Sequence, residues 1–213
     1  VQPDDQPELI HGYVEAEGTS YQGPRRTLKH GDTFAVSDAH GDIGFMGGGP
    51  EGIFFRDTRH LSRFKLMLEG QRPLLLASVL QDDNAELSVD LANPDVDPEK
   101  DWGLPRDLIA LHRTKFLWND TCYERIKLRN YDERERRIRL EFRFDADFRD
   151  LFEVRGMERK RRGSRSVEVT GPDSVQFTYD GLDGIRRITV LRFDPVPVKL
   201  GTHRAVYKIV LPA

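Results

Sequence analysis

From Thr27 onward the sequence is a succession of short apolar runs separated by turn-forming residues. In several runs apolar and polar side chains alternate strictly, as in 85–91, 125–129 and 137–144. Alternation with period two places the apolar side chains on one face of a β-strand. About a dozen such runs predict a mainly β fold, a large antiparallel sandwich of two sheets.

Two connections have the composition of hairpin turns. Residues 38–41, Asp-Ala-His-Gly, separate the runs 33–37 and 42–45, and glycine accepts the positive φ that a tight turn requires. The short segment 130–133 predicts that the runs on either side of it, 125–129 and 137–143, fold back on each other.

Only the stretch 147–154 has helical spacing, with Phe148, Leu151 and Phe152 at positions i, i+3 and i+4. Asp145 or Asp147 is suited to cap such a helix and Gly156 to end it. We therefore expect at most one or two short helices. Residues 1–26 are rich in Pro, Asp, Glu and Gly and are interpreted as a tail or extension, and residues 27–213 as a single domain.

Charge and cysteine content exclude several classes of function. The formal net charge of −3 argues against nucleic acid as a partner, since general binding needs a broad basic surface. The single cysteine, Cys122, permits no internal disulfide, and no apolar stretch reaches the roughly 18 residues of a membrane span. We therefore expect a cytoplasmic protein with no membrane partner.

The sequence contains no motif for metal, cofactor or nucleophilic chemistry. The six histidines are widely spaced, and neither a zinc-binding pair, nor a phosphate-binding glycine loop before a helix, nor a G-x-S-x-G elbow occurs. Asp38, His40 and Asp42 could meet a cation, but side chains that bond their own turn are the favoured interpretation. We expect no cofactor, no metal site and no catalytic residue in this segment.

A dense polar cluster lies between two apolar runs and contains Arg56, Asp57, Arg59 and His60. An aspartate between two arginines suits bidentate pairing between guanidinium and carboxylate. The cluster is either a structural corner, with Asp57 partly buried against a flanking arginine, or a surface that presents groups to a ligand or partner. We favour the structural corner.

Two further segments provide candidate contact residues for carbohydrate or for another domain. The proline-containing loop 93–107 carries Trp102, whose indole could stack on a sugar or pack on its own domain. The segment 147–156 mixes apolar anchors with alternating charge and includes Asp150 and Arg155. The basic run 155–165 that follows is interpreted as a solvated loop or as a surface that pairs with acids of a partner domain.

Six segments in order resemble the N-terminal domain of bacterial glycogen-debranching enzymes of the amylo-α-1,6-glucosidase type. They are FAVSDAHGD from Phe34, GIFFRDTRHLSRF from Gly52, RPLLLAS from Arg72, YERIKLRNY from Tyr123, DFRDLFEVRG from Asp147 and GLDGIRRITVLRFDPVP from Gly181.

The resemblance implies a large β-sandwich, supersandwich-like, that precedes an (α/α)6-barrel glycoside hydrolase domain. In that arrangement the catalytic carboxylates lie in the barrel, which we expect downstream of this chain, so no catalytic residue is carried over. The implied function is that of a non-catalytic accessory domain, docking on the barrel of the same polypeptide and helping to shape its substrate cleft. The alternative is an independent module that binds α-glucan. With two tryptophans and 9% aromatic residues, the composition favours docking.

Overall fold

The computed structural model describes residues 23–47, 49–97 and 103–213. Within these ranges the chain forms fifteen strands and one helix. The elements are β1 (Arg26–His30), β2 (Thr33–Ser37), β3 (Gly52–Phe55), β4 (Thr58–Leu61), β5 (Arg63–Leu68), β6 (Leu74–Leu80), β7 (Glu86–Ala92), β8 (Ile109–Trp118), β9 (Thr121–Asn130), β10 (Arg136–Asp145), α1 (Leu151–Val154), β11 (Ser164–Gly171), β12 (Ser174–Asp180), β13 (Arg186–Arg192), β14 (Lys199–Leu200) and β15 (Arg204–Leu211).

The strands form four antiparallel sheets, so the mainly β prediction is confirmed. Their orders are β1-β2-β3-β4, β6-β7-β8-β9, β14-β15-β10-β5 and β11-β12-β13. The hydrogen bonds do not gather the strands into two clear sheets, and in this respect the structure differs from the sandwich that the sequence predicted. Period-two alternation identifies a strand and its buried face, but it does not determine how many sheets share the core.

The predicted hairpin between 125–129 and 137–143 is wrong. β9 pairs with β8, whereas β10 pairs with β5 and β15 in another sheet. β8 lies between β7 and β9, and Asp90 of β7 contacts His112 of β8 at 2.7 Å. Strand partners far apart in sequence carry no signal in the local pattern that would reveal them.

The segment 38–41 forms a turn, but the strands beside it do not make the predicted hairpin. The backbone N–H of Asp38 donates to the carbonyl of Asp42 at 2.9 Å, which closes the turn. After the turn Ile43 forms an isolated bridge with Phe64, while β2 pairs with β1 and β3. The chain therefore leaves the first sheet at Asp38.

The helix is shorter than predicted and begins later. Asp150 is its N-cap and forms a capping box with Glu153, so neither Asp145 nor Asp147 caps it. The cause is Phe148, whose φ of +51° interrupts the backbone before a helix can start. Gly156, with a φ of +102°, follows the helix as predicted.

The core lies between the inward faces of the sheets. Aromatic side chains of β10 and β12 meet there, with the rings of Phe144 and Phe177 edge to face at 6.3 Å between centroids. Phe148 is also buried and stacks on Tyr179 of β12, which ties the segment before α1 to the sheet β11-β12-β13. The one helix in the described ranges is too short to cross a membrane.

Candidate functional site

The tip of the β3–β4 hairpin is formed by Arg56 and Asp57. Phe55 pairs with Thr58, and the two residues between them have φ values of +44° and +63°. Positive φ at both central positions is typical of a two-residue turn between twisted strands. Both side chains are consequently exposed at the surface.

The hairpin holds the segment around α1. The N–H of Arg59 donates to the carbonyl of Arg149 at 2.7 Å, and the N–H of Leu151 donates to the carbonyl of Asp57 at 3.1 Å. Thr58 and Asp150 form an isolated bridge between these two contacts. Two sequence segments that were separate candidates thus form one surface feature, residues 56–60 with 147–157, which we call the corner.

Arg59 is the buried charge of the corner. Its Nε and Nη2 donate to the two carboxylate oxygens of Asp147, at 3.0 and 2.5 Å. Its Nη1 donates to the carbonyls of Gly49 and Glu51, at 2.9 and 3.1 Å. One guanidinium therefore joins the hairpin, the segment before α1 and the chain that enters β3.

The predicted pairing of Asp57 with a flanking arginine is wrong. Asp57 is exposed at the turn, Arg59 bonds Asp147, and Arg56 lies 3.5 Å from Asp32 of the β1–β2 turn. The reason is geometric, because a two-residue turn directs both of its side chains away from the strands. The bidentate pair exists, but its acid comes from 88 residues further along the chain.

His60 occupies a structural position. Its ring lies edge to face with Phe55 and Phe148, at 6.1 and 5.5 Å between centroids. Its Nδ1 is 3.2 Å from the hydroxyl of Thr189, which donates to the carbonyl of His60 at 2.9 Å. Burial lowers the pKa of His60, so the imidazole is neutral at pH 7 and links β4 to β13.

Basic residues that follow α1 are paired with acids of the same chain. Arg159 contacts the carboxylate of Asp150, and Arg162 lies 3.3 Å from Glu153. Arg165 contacts Asp145 at 2.9 Å. These contacts hold the loop against its own domain. The three arginines therefore do not need acids from a partner domain.

The corner leaves a few large side chains in solvent. Phe152 and Met157 are 60% and 59% exposed, beside the exposed Arg155 that ends α1. The sequence pattern assigned Phe152 to a buried helical stripe, but α1 is a single turn and only Phe148 of that stripe is fully buried. Trp102 lies outside the described residues.

Asp38 and Asp42 belong to a separate, buried ionic cluster. The carboxylate of Asp38 accepts from the N–H groups of His40 and Asp42, at 2.9 and 3.1 Å, which confirms turn bonding. Arg72 contacts both carboxylates. Arg113 donates to Asp42 at 2.8 Å and to Glu124 at 2.8 Å.

The positive and negative side chains of this buried cluster are paired with one another. Burial raises the pKa of Asp42, but the guanidinium groups of Arg113 and Arg72 outweigh that effect and hold it below its ordinary value. Burial alone would lower the pKa of Arg113, but the carboxylates of Glu124 and Asp42 raise it above its ordinary value. No group of three or more His, Cys, Asp or Glu side chains among the described residues is arranged to hold a metal ion.

Comparison with known protein families agrees with the resemblance seen in the sequence. A family described as the N-terminal domain of some glycogen debranching enzymes matches residues 28–213. The chain belongs to this family. No curated protein matches the sequence. The matched residues include the corner and the buried ionic cluster, so both are parts of the glycogen-debranching N-terminal domain.

Proposed function

We propose that the chain is a non-catalytic accessory domain of a glycogen-debranching-type glycoside hydrolase. It docks on an (α/α)6-barrel catalytic domain of the same polypeptide and helps to shape the substrate cleft. Membership of a family defined by its N-terminal position in such enzymes supports the proposal. The observation that carries the docking role is the corner, where exposed apolar side chains occur in a segment anchored by the ion pair between Arg59 and Asp147.

The chemistry of the corner suits a protein interface. Aromatic residues, methionine and arginine are enriched where protein surfaces meet, and Phe152, Arg155 and Met157 are all exposed within one short segment. Arg59 and the capping box of α1 fix the backbone beneath them. A surface that is already ordered loses little entropy on binding, which favours affinity.

The docking role is tested in the polypeptide that carries the barrel. Phe152→Ala combined with Met157→Ala should lower kcat/KM on limit dextrin at least severalfold, because the domain no longer supports the cleft. The melting temperature of the 213-residue chain should stay within about 2 °C, since both side chains are solvated. Leu182→Ala is the matched control, an equally exposed apolar residue in the β12–β13 turn. Unchanged kinetics in the double variant would refute docking through the corner.

We also predict that the chain has no glycosidase activity by itself. The sequence has no motif for such chemistry, and the resemblance locates the carboxylates in the barrel. The assay is the release of reducing ends from pullulan, limit dextrin and glycogen by the purified chain. Turnover that persists through purification and disappears when one carboxylate of this chain is replaced would refute it.

We expect this domain to work in the cytoplasm. The single cysteine, Cys122, permits no internal disulfide, and this cysteine content is usual for proteins of a reducing compartment. Fractionation of the native cells, followed by an antibody against the chain, tests this expectation. Recovery of the protein outside the cytoplasm would contradict it.

A further inference from the structure

Three aromatic side chains stand in solvent at one end of the sheet that contains β8 and β9. Phe116, Trp118 and Tyr123 are 40%, 55% and 44% exposed. The rings of Phe116 and Tyr123 are stacked, 5.0 Å apart at an angle of 12°. The indole of Trp118 lies 5.0 Å from the ring of His30. We call Phe116, Trp118 and Tyr123 the aromatic strip.

The alternation of β8 produces this arrangement. Arg113, Lys115 and Leu117 face inward and are buried, so Phe116 and Trp118 face outward. The turn Asn119-Asp120, with positive φ at both positions, returns the chain so that Tyr123 pairs directly with Phe116. The outward aromatic positions carry no core-forming role, which distinguishes them from the buried phenylalanines of β10 and β12.

Hydrogen-bonding side chains surround the rings. Glu86 is paired with Phe116 on one side, and Thr121 is paired with Trp118 on the other. Arg125 follows Tyr123 by two positions and shares its face of the sheet. A carboxylate, a hydroxyl and a guanidinium therefore border the exposed aromatic rings.

The strip adjoins the corner through the β1–β2 turn. His30 contacts Trp118, Asp32 lies beside Arg56, and the hydroxyl of Thr33 donates to Asp120 at 3.1 Å. The aromatic rings and the hairpin tip thus flank the same short turn. A ligand on the strip would lie next to whatever docks on the corner.

We propose that the aromatic strip binds the glucose chains of an α-glucan. A pyranose ring has an apolar C–H face and a rim of hydroxyls, which matches aromatic rings bordered by polar side chains. Phe116 and Trp118 are two positions apart in a strand, about 6.6 Å, so their rings lie side by side on one face of the sheet. The family consists of domains of glycogen debranching enzymes, and glycogen is a polymer of such glucose units.

The size of the strip is sufficient for a short stretch of sugar units. If an aromatic side chain presents roughly 200 Å², the exposed fractions leave roughly 300 Å² of ring surface. The polar side chains at its border can exchange hydrogen bonds with sugar hydroxyls.

This inference goes beyond the proposed docking function and does not depend on it. The test is native electrophoresis of the 213-residue chain through gels that contain glycogen. The wild type should be retarded, and maltoheptaose should relieve the retardation. Trp118→Ala, and Phe116→Ala with Tyr123→Ala, should weaken the apparent affinity about tenfold or more, with melting temperatures close to that of the wild type.

Phe152→Ala is the matched control, since it removes an exposed ring at the corner and should leave the retardation intact. Absence of retardation in the wild type would overturn the proposal, as would equal losses in Phe152→Ala and Trp118→Ala. If Trp118→Ala lowered only the activity of the barrel-containing polypeptide, with glycogen binding unchanged, the strip would be a protein contact and the glucan proposal would fall. Docking through the corner would survive each of these results.

Discussion

Two arginine–aspartate networks in this domain use the same chemistry for different ends. In the buried cluster Arg113, Asp42 and their neighbours face one another, and nearly every charge is enclosed. At the corner Arg59 and Asp147 make an equally close pair, but Arg56 and Arg155 around it remain in solvent. The first network is closed, whereas the second is a framework with exposed groups on its rim.

An ion pair indicates function only through the residues that surround it. A buried charge without its partner is costly, so both networks resist substitution. Only the corner leaves apolar and charged side chains in reach of another molecule, among them Phe152 and Met157. Substitutions in the buried cluster should therefore lower stability, whereas substitutions of the exposed side chains at the corner should lower activity.

The largest effect is expected from Arg113→Met. The substitution keeps much of the volume but removes the fully buried guanidinium that bonds both Asp42 and Glu124. Arg72 and Lys115 still pair with these carboxylates, but breaking a buried ion pair typically costs about 3–5 kcal/mol. At 2–4 °C per kcal/mol, the melting temperature should fall by about 6–20 °C, measured by circular dichroism. Arg125→Met, on the exposed face of β9, is the control and should change little.

The pH dependence of the stability of Arg113→Met gives a second measurement of the same ion pair. Because the folded pKa of Asp42 lies below its ordinary value, the carboxylate stabilises the wild type above that ordinary value, and this contribution is lost as the pH falls through the folded pKa. Removing Arg113 should weaken that dependence. A melting temperature within about 2 °C of the wild type would contradict the closed-network interpretation.

A smaller loss, about 2–3 kcal/mol, is expected for Arg59→Met. Asp147 becomes unpaired but is partly exposed and regains water, which lowers the cost relative to a fully buried pair. The control is Arg56→Met, whose ion pair with Asp32 is exposed and should contribute within about 0.5 kcal/mol. Urea denaturation measures both. Equal losses in the two variants would show that the corner has no buried anchor.

The sequence predicted the individual strands better than it predicted which strands and side chains contact each other. Period two correctly assigned strand character to 125–129 and 137–143, because alternation is a local property. It could not show that β9 and β10 lie in different sheets, nor that the partner of Arg59 is Asp147, because those contacts are distant in sequence. Six of the seven candidate residues lie at the corner. Two of them, Arg59 and Asp150, hold its backbone in place instead of facing a partner. Phe152, which was not among the candidates, is exposed to solvent.

Asp150→Ala should cost about 1 kcal/mol, or about 2–4 °C, because it removes the N-cap of α1. Asp150→Asn separates the two roles of this side chain, since asparagine caps a helix equally well but cannot form the ion pair with Arg159. We expect Asn to retain nearly the wild-type melting temperature. If Asn and Ala were equally destabilising, the contact with Arg159, and not the cap, would hold the segment.

The smallest effect is expected from Asp57→Gly, although the structural-corner hypothesis had Asp57 partly buried against a flanking arginine. The residue has a φ of +63° at an exposed turn, so glycine removes the carboxylate while accepting the backbone conformation. Asp57→Gly should therefore stay within about 0.5 kcal/mol of the wild type. Asp57→Ala removes the same carboxylate but strains the left-handed position, which costs about 1–2 kcal/mol. Thermal melts of the two variants separate side-chain loss from backbone strain. A drop of well over about 4 °C in Asp57→Gly would mean that the carboxylate has a partner after all, and the corner would then resemble the closed network around Arg113.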